Sequence, residues 1–249
     1  MTSIVGCGDT MEAMRVIAGT HRSRSLDAPR GSATRPTSDR LRETLFNVLA
    51  PRISGARFAD LYAGSGAVGI EAISRGAQHV WFAENAPAAV ATIRRNLSRL
   101  KISGGYSVED RSVAHLLRAF VKASRVLDMI FLDPPYEDAQ AYAETLNLLA
   151  REHATILAPA AMVIVEHRKK EPPSEHYGCL ERSRILNQGD VALSFYIVSE
   201  TWKLTRQDSG SLTQDSGLRT LNSELHGCKS SRQDHREDEF SPFSSRLSE

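Results

Sequence analysis

The chain has 249 residues, 41% of them hydrophobic, and a formal net charge of +1, enough to bury one substantial core and too balanced to mark a globally basic nucleic-acid binder. Three widely separated cysteines (Cys7, Cys179, Cys228) without a CxxC pair, and eight histidines without HxxxH or HExxH spacing, argue against a structural metal and for a reducing, cytoplasmic compartment. No apolar run approaches a membrane span, and no apolar h-region opens the chain, so no membrane partner is expected.

Residues 1–13 lack periodicity and read as a flexible N-terminus. The stretch 14–56 reads as a basic arm and helix. Arg15-Val16-Ile17-Ala18, a glycine at position 19 and an arginine-rich run to Leu26 suit a small hairpin displaying Arg22 and Arg24. Thr37 or Ser38 then caps a helix whose Leu41, Leu45, Val48 and Leu49 share one face, with Arg40, Glu43 and Asn47 opposite. From Met14 to Arg57 nine arginines and no lysine stand against three acids, an excess of six positive charges. Such a face at one end of a balanced chain is the footprint of a phosphate-rich partner; a solvated arm is the plainer alternative.

From Arg57 the patterns alternate as in a parallel doubly wound sheet: strands over Phe58–Tyr62, Val80–Ala83, Tyr106–Val108, Leu127–Leu132 and Ala161–Glu166, with helices over Val68–Arg75, Pro87–Leu100, Val113–Lys122 and Ala139–Ala150. Leu180–Leu186 and Val191–Val198 read as a terminal antiparallel pair. One α/β domain over 57–203 accounts for all of it. Between Arg206 and Glu249 only eight of 44 residues are apolar or cysteine, so 204–249 is expected to be a disordered tail.

Two loops carry the chemistry. After the first strand, Gly64-Ser65-Gly66-Ala67-Val68-Gly69 satisfies GxGxxG, and Glu84 ends the second strand where ribose hydroxyls would lie. The glycine pattern alone suits either a dinucleotide or S-adenosyl-L-methionine. Asp60, four residues before Gly64, favours the latter: it suits a methionine ammonium and would repel a pyrophosphate. Asp110, after the third strand, is placed to accept from an adenine amine or simply to cap the next helix. The fourth strand stops in Asp133-Pro134-Pro135-Tyr136. Two prolines end both helix and ladder and hold the carboxylate at the strand's carboxyl end. There Asp133 and the Pro134 carbonyl suit the two N–H groups of an exocyclic amine, and Tyr136 suits a stacked base. The plainer alternative is a Pro-rich turn with a helix cap.

With these residues the chain resembles the bacterial 16S ribosomal RNA guanine-N2 methyltransferases. The resemblance rests on Arg15 to Gly19, on Arg35-Pro36-Thr37-Ser38-Asp39-Arg40-Leu41-Arg42-Glu43-Thr44-Leu45-Phe46-Asn47, on Asp60 to Gly66 with Gly69, and on Asp133 to Tyr136. It implies a class I methyltransferase (Rossmann-like) fold, a seven-stranded sheet with the last strand inserted antiparallel, and an RNA-facing N-terminal extension. The expected reaction is methyl transfer from S-adenosyl-L-methionine to the N2 of a guanine in 16S ribosomal RNA or a small-subunit particle, by a monomer without a metal. Asp133, Pro134 and Tyr136 are the candidate catalytic residues. Asp60, Gly64, Ser65, Gly66, Gly69, Glu84 and Asp110 are the candidate cofactor residues, and Arg22, Arg24, Arg35 and Arg40 the candidate RNA contacts. The rivals are N6-adenine methylation of RNA or DNA and a non-catalytic rRNA-binding assembly factor, with an oxidoreductase more distant. Asn85 after Glu84, and an arm without its usual glycine at 21–24, depart from the family's pattern.

Overall fold

The computed structural model describes residues 14–28, 38–136 and 138–199. Arg35, the first 13 residues and the tail from 204 onward, with the expectations placed on them, lie outside the described residues.

The strands are β1 (Arg57–Leu61), β2 (His79–Ala83), β3 (Tyr106–Glu109), β4 (Leu127–Leu132), β5 (Leu157–Arg168), β6 (His176–Tyr177), β7 (Leu180–Gln188) and β8 (Val191–Val198). They form one sheet in the order β3-β2-β1-β4-β5-β8-β7-β6. β1 to β5 pair in parallel, and β8 is inserted antiparallel to both β5 and β7. The sheet therefore has eight strands rather than the seven expected. The additional one is two residues long and extends only the outer edge of β7, a length that leaves little ladder exposed. β5 also begins earlier than Ala161. Its pairing with β4 jumps from Leu127↔Leu157 to Met129↔Met162, so Pro159 is carried in a bulge instead of ending the strand.

The helices are α1 (Asp39–Leu49), α2 (Ala67–Ser74), α3 (Pro87–Arg99), α4 (Val113–Lys122), α5 (Ala139–Arg151) and a single turn, α6 (His153–Ile156), which no sequence signal announced. Alternate residues of the central strands feed two separate cores, as a pleated sheet covered on both faces requires. Phe58, Phe82, Phe131 and Ile164 face one core with Ile70 of α2 and Ile93 of α3. Leu61, Trp81, Ile130 and Val165 face the other, with Leu117 of α4 and Leu146 of α5. Among the described residues no helix is long and apolar enough to cross a membrane.

The arm belongs to the first of these cores. Val16, Leu26, Leu41, Leu45, Phe46 and Leu49 are all buried in it. Arg15 bridges Ser25 in an antiparallel sense and the chain turns between them, so the hairpin expected there forms, with Arg22 and Arg24 exposed. Its first strand is bonded to α2: the Ile17 and Ala18 amides donate to the two oxygens of the fully buried Glu71, at 2.7 and 3.0 Å. Gly19 has φ +81°, and a Cβ there would lie 1.9 Å from the Ser74 carbonyl, so only glycine permits this approach. α1 is capped by Ser38, whose hydroxyl accepts from the Leu41 amide at 3.2 Å. Arg40 is exposed, but Arg42 is not a phosphate-facing arginine. It is completely buried, bonded to Asp39 and to the Arg15 carbonyl, and burial lowers its pKa against the opposing pull of Asp39 and Glu71.

Candidate active site

The register Leu61↔Ala83 and Leu61↔Leu132 ends β1, β2 and β4 at one level, so the glycine loop, Glu84 and the Asp-Pro-Pro-Tyr loop emerge side by side. In an open α/β sheet this carboxyl end is where ligands bind. The Asp133 amide donates to the Leu61 carbonyl at 3.3 Å, joining the two loops directly.

The glycine loop is built from residues in left-handed conformation: Tyr62 (φ 63°), Gly64 (φ 54°) and Gly66 (φ 76°). For Tyr62, which the sequence presented only as a strand residue, this is strain of the kind functional sites hold, and its hydroxyl is anchored 3.1 Å from Thr145 Oγ1. Side chains from neighbouring elements fix the loop. Glu84 accepts from the Gly64 amide at 2.8 Å with one oxygen and from the Asn85 and Ala86 amides, both at 2.9 Å, with the other. Asp60, almost fully buried beneath the loop, accepts from the Gly69 amide at 2.8 Å in the first turn of α2. Burial pushes its carboxyl up to about 8; the Gly69 N–H opposes that rise and the nearby Glu84 charge adds to it. Gly69 is glycine for packing, since a Cβ would meet Phe82 Cε1 at 2.2 Å. Gly64 is different: a Cβ there meets nothing within 4 Å, so the loop's turn at this point faces open space.

Beside the loop lies a cleft of about 330 Å³ bounded by Tyr62, Glu84, Asn85, Arg111, Ser112 and Glu144 among others, a volume at the lower end for a small-molecule site. Asp110 does not line it. That carboxylate is exposed and ion-paired with Arg94 at 3.8 Å, Ser112 rather than Asp110 caps α4, and Arg111 takes the position on the cleft.

At the second loop, Pro134 is buried and its carbonyl accepts from the Tyr142 hydroxyl at 3.3 Å. The Tyr136 hydroxyl donates to Glu166 at 3.3 Å, and the Arg168 guanidinium sits over its ring at 5.3 Å. Burial, then the charges of Glu166 and Asp133, raise the Tyr136 pKa, so this phenol keeps its proton. Tyr142 and Glu166 escaped the sequence reading. Glu166 was legible in principle, being an acid at the carboxyl end of an apolar strand like Asp60 and Asp133; Tyr142 is the one aromatic of an amphipathic helix, and nothing in its spacing sets it apart from a packing residue.

A mostly parallel sheet with an antiparallel strand inserted between the fifth and seventh, a glycine loop after β1 and acids ending β2 and β4 define a class I, Rossmann-like methyltransferase fold. Residues 14–197 match the family model described as Conserved hypothetical protein 95, and the chain belongs to that family. Among relatives, the chain is 38% identical over 185 residues to the ribosomal RNA small subunit methyltransferase D of Escherichia coli K12, covering 74% of this chain and 89% of that one. It is 35% identical over 183 residues to the putative rRNA methyltransferase YlbH of Bacillus subtilis, covering 74% and 98%. Among solved structures, the putative methyltransferase yhhF from Escherichia coli aligns with a TM-score of 0.63 at 33% identity, over 74% of this chain and 97% of that one.

Proposed function

We propose that the protein transfers a methyl group from S-adenosyl-L-methionine to the exocyclic N2 of a guanine in small-subunit ribosomal RNA. The observation that carries this reading is the junction of the two loops, in which Asp133, at the end of β4, is bonded through its amide to the last residue of β1, where the glycine loop begins. An amine held by one loop thereby faces a cofactor held by the other.

The residues present fit that cofactor. Gly64 leaves its side of the loop open, Glu84 stands at the mouth of the cleft with three amides on a carboxylate that has about four acceptor positions, and Asp60 offers a carboxyl beneath the loop. Glu84 would take the ribose hydroxyls, and Asp60, through its bond to the Gly69 amide, would order the loop around the methionyl ammonium. When bound, the cofactor supplies the electrophilic methyl group. The chain's own part is positioning. Asp133 and the Pro134 carbonyl accept the two N–H bonds of the amine, the Tyr142 hydroxyl holding that carbonyl in place from behind. Asp133 takes the proton the amine releases. Tyr136 stacks on the base with one face of its ring, the Arg168 guanidinium lying over the ring. Arg22, Arg24, Arg40 and the undescribed Arg35 hold backbone phosphates, which position the RNA without reading its sequence. One copy of the chain, in the cytoplasm and without a metal, suffices for this scheme.

The test is mass spectrometry and primer extension on ribosomal RNA from cells with and without the gene. Loss of one N2-methylguanine from the small-subunit RNA, restored by the wild type and not by Asp133→Ala, is the expected result. Loss of an N6-methyladenine instead would transfer the scheme to adenine, and an unchanged RNA would overturn it.

A further inference from the structure

We propose that Asn96 is a positioning residue for the cofactor: it ties the Ser65 carbonyl of the glycine loop to the backbone of Asp27 at the end of the arm, making the arm a structural part of the cofactor site. The inference rests on reading the glycine loop as the S-adenosyl-L-methionine loop.

Asn96 lies on the buried face of α3 and is completely inaccessible to solvent. Its side-chain oxygen accepts from the Asp27 amide at 2.8 Å, and its nitrogen donates to the Asp27 carbonyl and to the Ser65 carbonyl, both at 3.0 Å. A primary amide has two donors and an acceptor carbonyl, so one side chain serves as a bridge between two pieces of backbone that do not otherwise pair there. The position is conspicuous in the sequence too. Ala89, Val90, Ile93 and Leu97 make the apolar stripe of α3, continued by Leu100 at its C-cap, and Asn96 falls within it. A buried amide in such a stripe costs stability unless all its groups are bonded, and here they are.

The loop needs this hold. Tyr62 adopts left-handed backbone, which a non-glycine residue keeps only when its surroundings over-determine it, and Gly64 and Gly66, free to take many conformations, are fixed in theirs by bonds from outside. The Ala63 amide is bonded to the Ala83 carbonyl, the Gly64 amide to Glu84, the Gly66 amide to the Ala63 carbonyl and the Gly69 amide to Asp60. The Ser65 carbonyl is bonded to Asn96. Without Asn96 the Ser65–Gly66 peptide is held only by the bond of its Gly66 N–H to the Ala63 carbonyl, and the loop's N–H groups are less firmly kept in their arrangement. The arm approaches the loop from a second side as well, where the Ser65 hydroxyl lies 3.6 Å from Met14 Sδ. The hairpin between these two contacts carries Arg22 and Arg24 and is bonded to α2, the helix that begins at the loop's last glycine. The face read as RNA-binding and the loop read as cofactor-binding are one bonded unit.

The experiment is calorimetric titration of the full chain with S-adenosylhomocysteine, well below the melting temperature, for wild type, Asn96→Ala and Arg99→Ala. Asn96→Ala should weaken binding roughly tenfold, in line with the loss of a buried hydrogen bond, and raise the cofactor KM while leaving kcat for RNA within about twofold. Arg99→Ala removes only the exposed ion pair with the Asp27 side chain and should leave the affinity unchanged. A purely structural Asn96 would lower the melting temperature and the active fraction but not the affinity of the folded molecules, and that result overturns the proposal. If Asn96→Ala does not fold, amide exchange on the wild type decides. The Asp27 amide, bonded to Asn96, should gain protection on S-adenosylhomocysteine binding in step with Gly66 and Gly69; protection confined to the loop refutes the bridge. A wild type that binds no S-adenosylhomocysteine sinks the cofactor reading itself, a result distinct from either of these.

Discussion

The two loops at the carboxyl end of the sheet are rigid for different reasons. The glycine loop is intrinsically free at Gly64 and Gly66 and strained at Tyr62, and it is held in one conformation by groups reaching in from elsewhere: Asp60 from β1, Glu84 after β2, Asn96 from α3. The Asp-Pro-Pro-Tyr loop has its stiffness in the covalent chain, since each proline fixes its own φ and restricts the residue before it. Contacts from outside add to it, among them Tyr142 on the Pro134 carbonyl, Glu166 on the Tyr136 hydroxyl and Arg168 over its ring. Damage to the first loop should therefore spread into the fold and into cofactor affinity, whereas damage to the second should stay in turnover.

The largest separation is expected from Asp133→Ala. It removes the acceptor that orients the amine, so kcat should fall by roughly 10²–10⁴-fold, the usual scale for a positioned acid–base group, with S-adenosylhomocysteine affinity within about twofold of wild type. A filter assay with labelled cofactor and a parallel titration measure both; turnover within tenfold of wild type would remove Asp133 from its role. Gly69→Ala is the opposite experiment. Its Cβ would lie 2.2 Å from the Phe82 ring in the packed core, and overpacking of this kind costs about 1–3 kcal/mol. The melting temperature should drop and cofactor binding should weaken with it, and Phe82→Leu in the same chain should restore part of both. A Gly69→Ala protein with wild-type stability would show that the loop yields more easily than its contacts imply.

The unequal supports of the two loops also explain what was legible in the sequence. Local chemistry announced itself: the glycines at 64 and 66, the prolines at 134 and 135, and the acids at strand ends stand at positions that short-range geometry dictates, and Gly69 was legible from its spacing although a contact with Phe82 is what requires it. Strand and helix alternation supplied the parallel sheet and a terminal antiparallel pair, and the family resemblance supplied the insertion of the last strand. The long-range partners were not legible, because nothing in the spacing of Glu71, Asn96 or Tyr142 says which distant amide or carbonyl they meet. Arg42 and Asp110 show the converse. Arg42, counted among the arm's positive charges, is buried against Asp39, and Asp110 points to Arg94 rather than lining the cleft. The start of β5 at Leu157 rather than Ala161 was likewise not legible, since it depends on the pairing of Leu157 with Leu127 of β4 across a bulge that carries Pro159.

Asp60 gives the glycine loop a pH signature. Burial raises its carboxyl to about 8 in the folded chain from an ordinary value of 3.8. Between those two values the folded state holds a proton that the unfolded state has lost. Its contribution is therefore fullest below the lower value and is lost as pH rises toward the upper one, by about 1.4 kcal/mol for each pH unit inside the window if nothing relaxes. Asp60→Asn keeps an oxygen that can accept from the Gly69 amide and has no proton to lose. The wild-type melting temperature should decline from pH 5 to pH 8, and the variant should lose much of that decline. Parallel curves would show that Asp60 is ionised in the folded protein.

The smallest effect expected, and the sharpest on the second loop, is that of Tyr136→Phe. The ring and the hydroxyl make separable contributions: the ring offers a face to a base, and the hydroxyl, bonded to Glu166 at 3.3 Å, only fixes how that ring stands. Removing the hydroxyl gives up a bond worth about 1 kcal/mol and should lower kcat/KM for RNA roughly fivefold. Removing the ring in Tyr136→Ala gives up stacking as well, which is worth about 1–3 kcal/mol per base, and also the surface over which the Arg168 guanidinium lies. The cofactor affinity should not change in either variant, because neither group touches the glycine loop. If Phe proves as damaging as Ala, the hydroxyl takes part in the chemistry and the stacking assignment fails. If Ala proves as mild as Phe, no base rests on this ring, and the rigidity of the proline loop serves Asp133 alone.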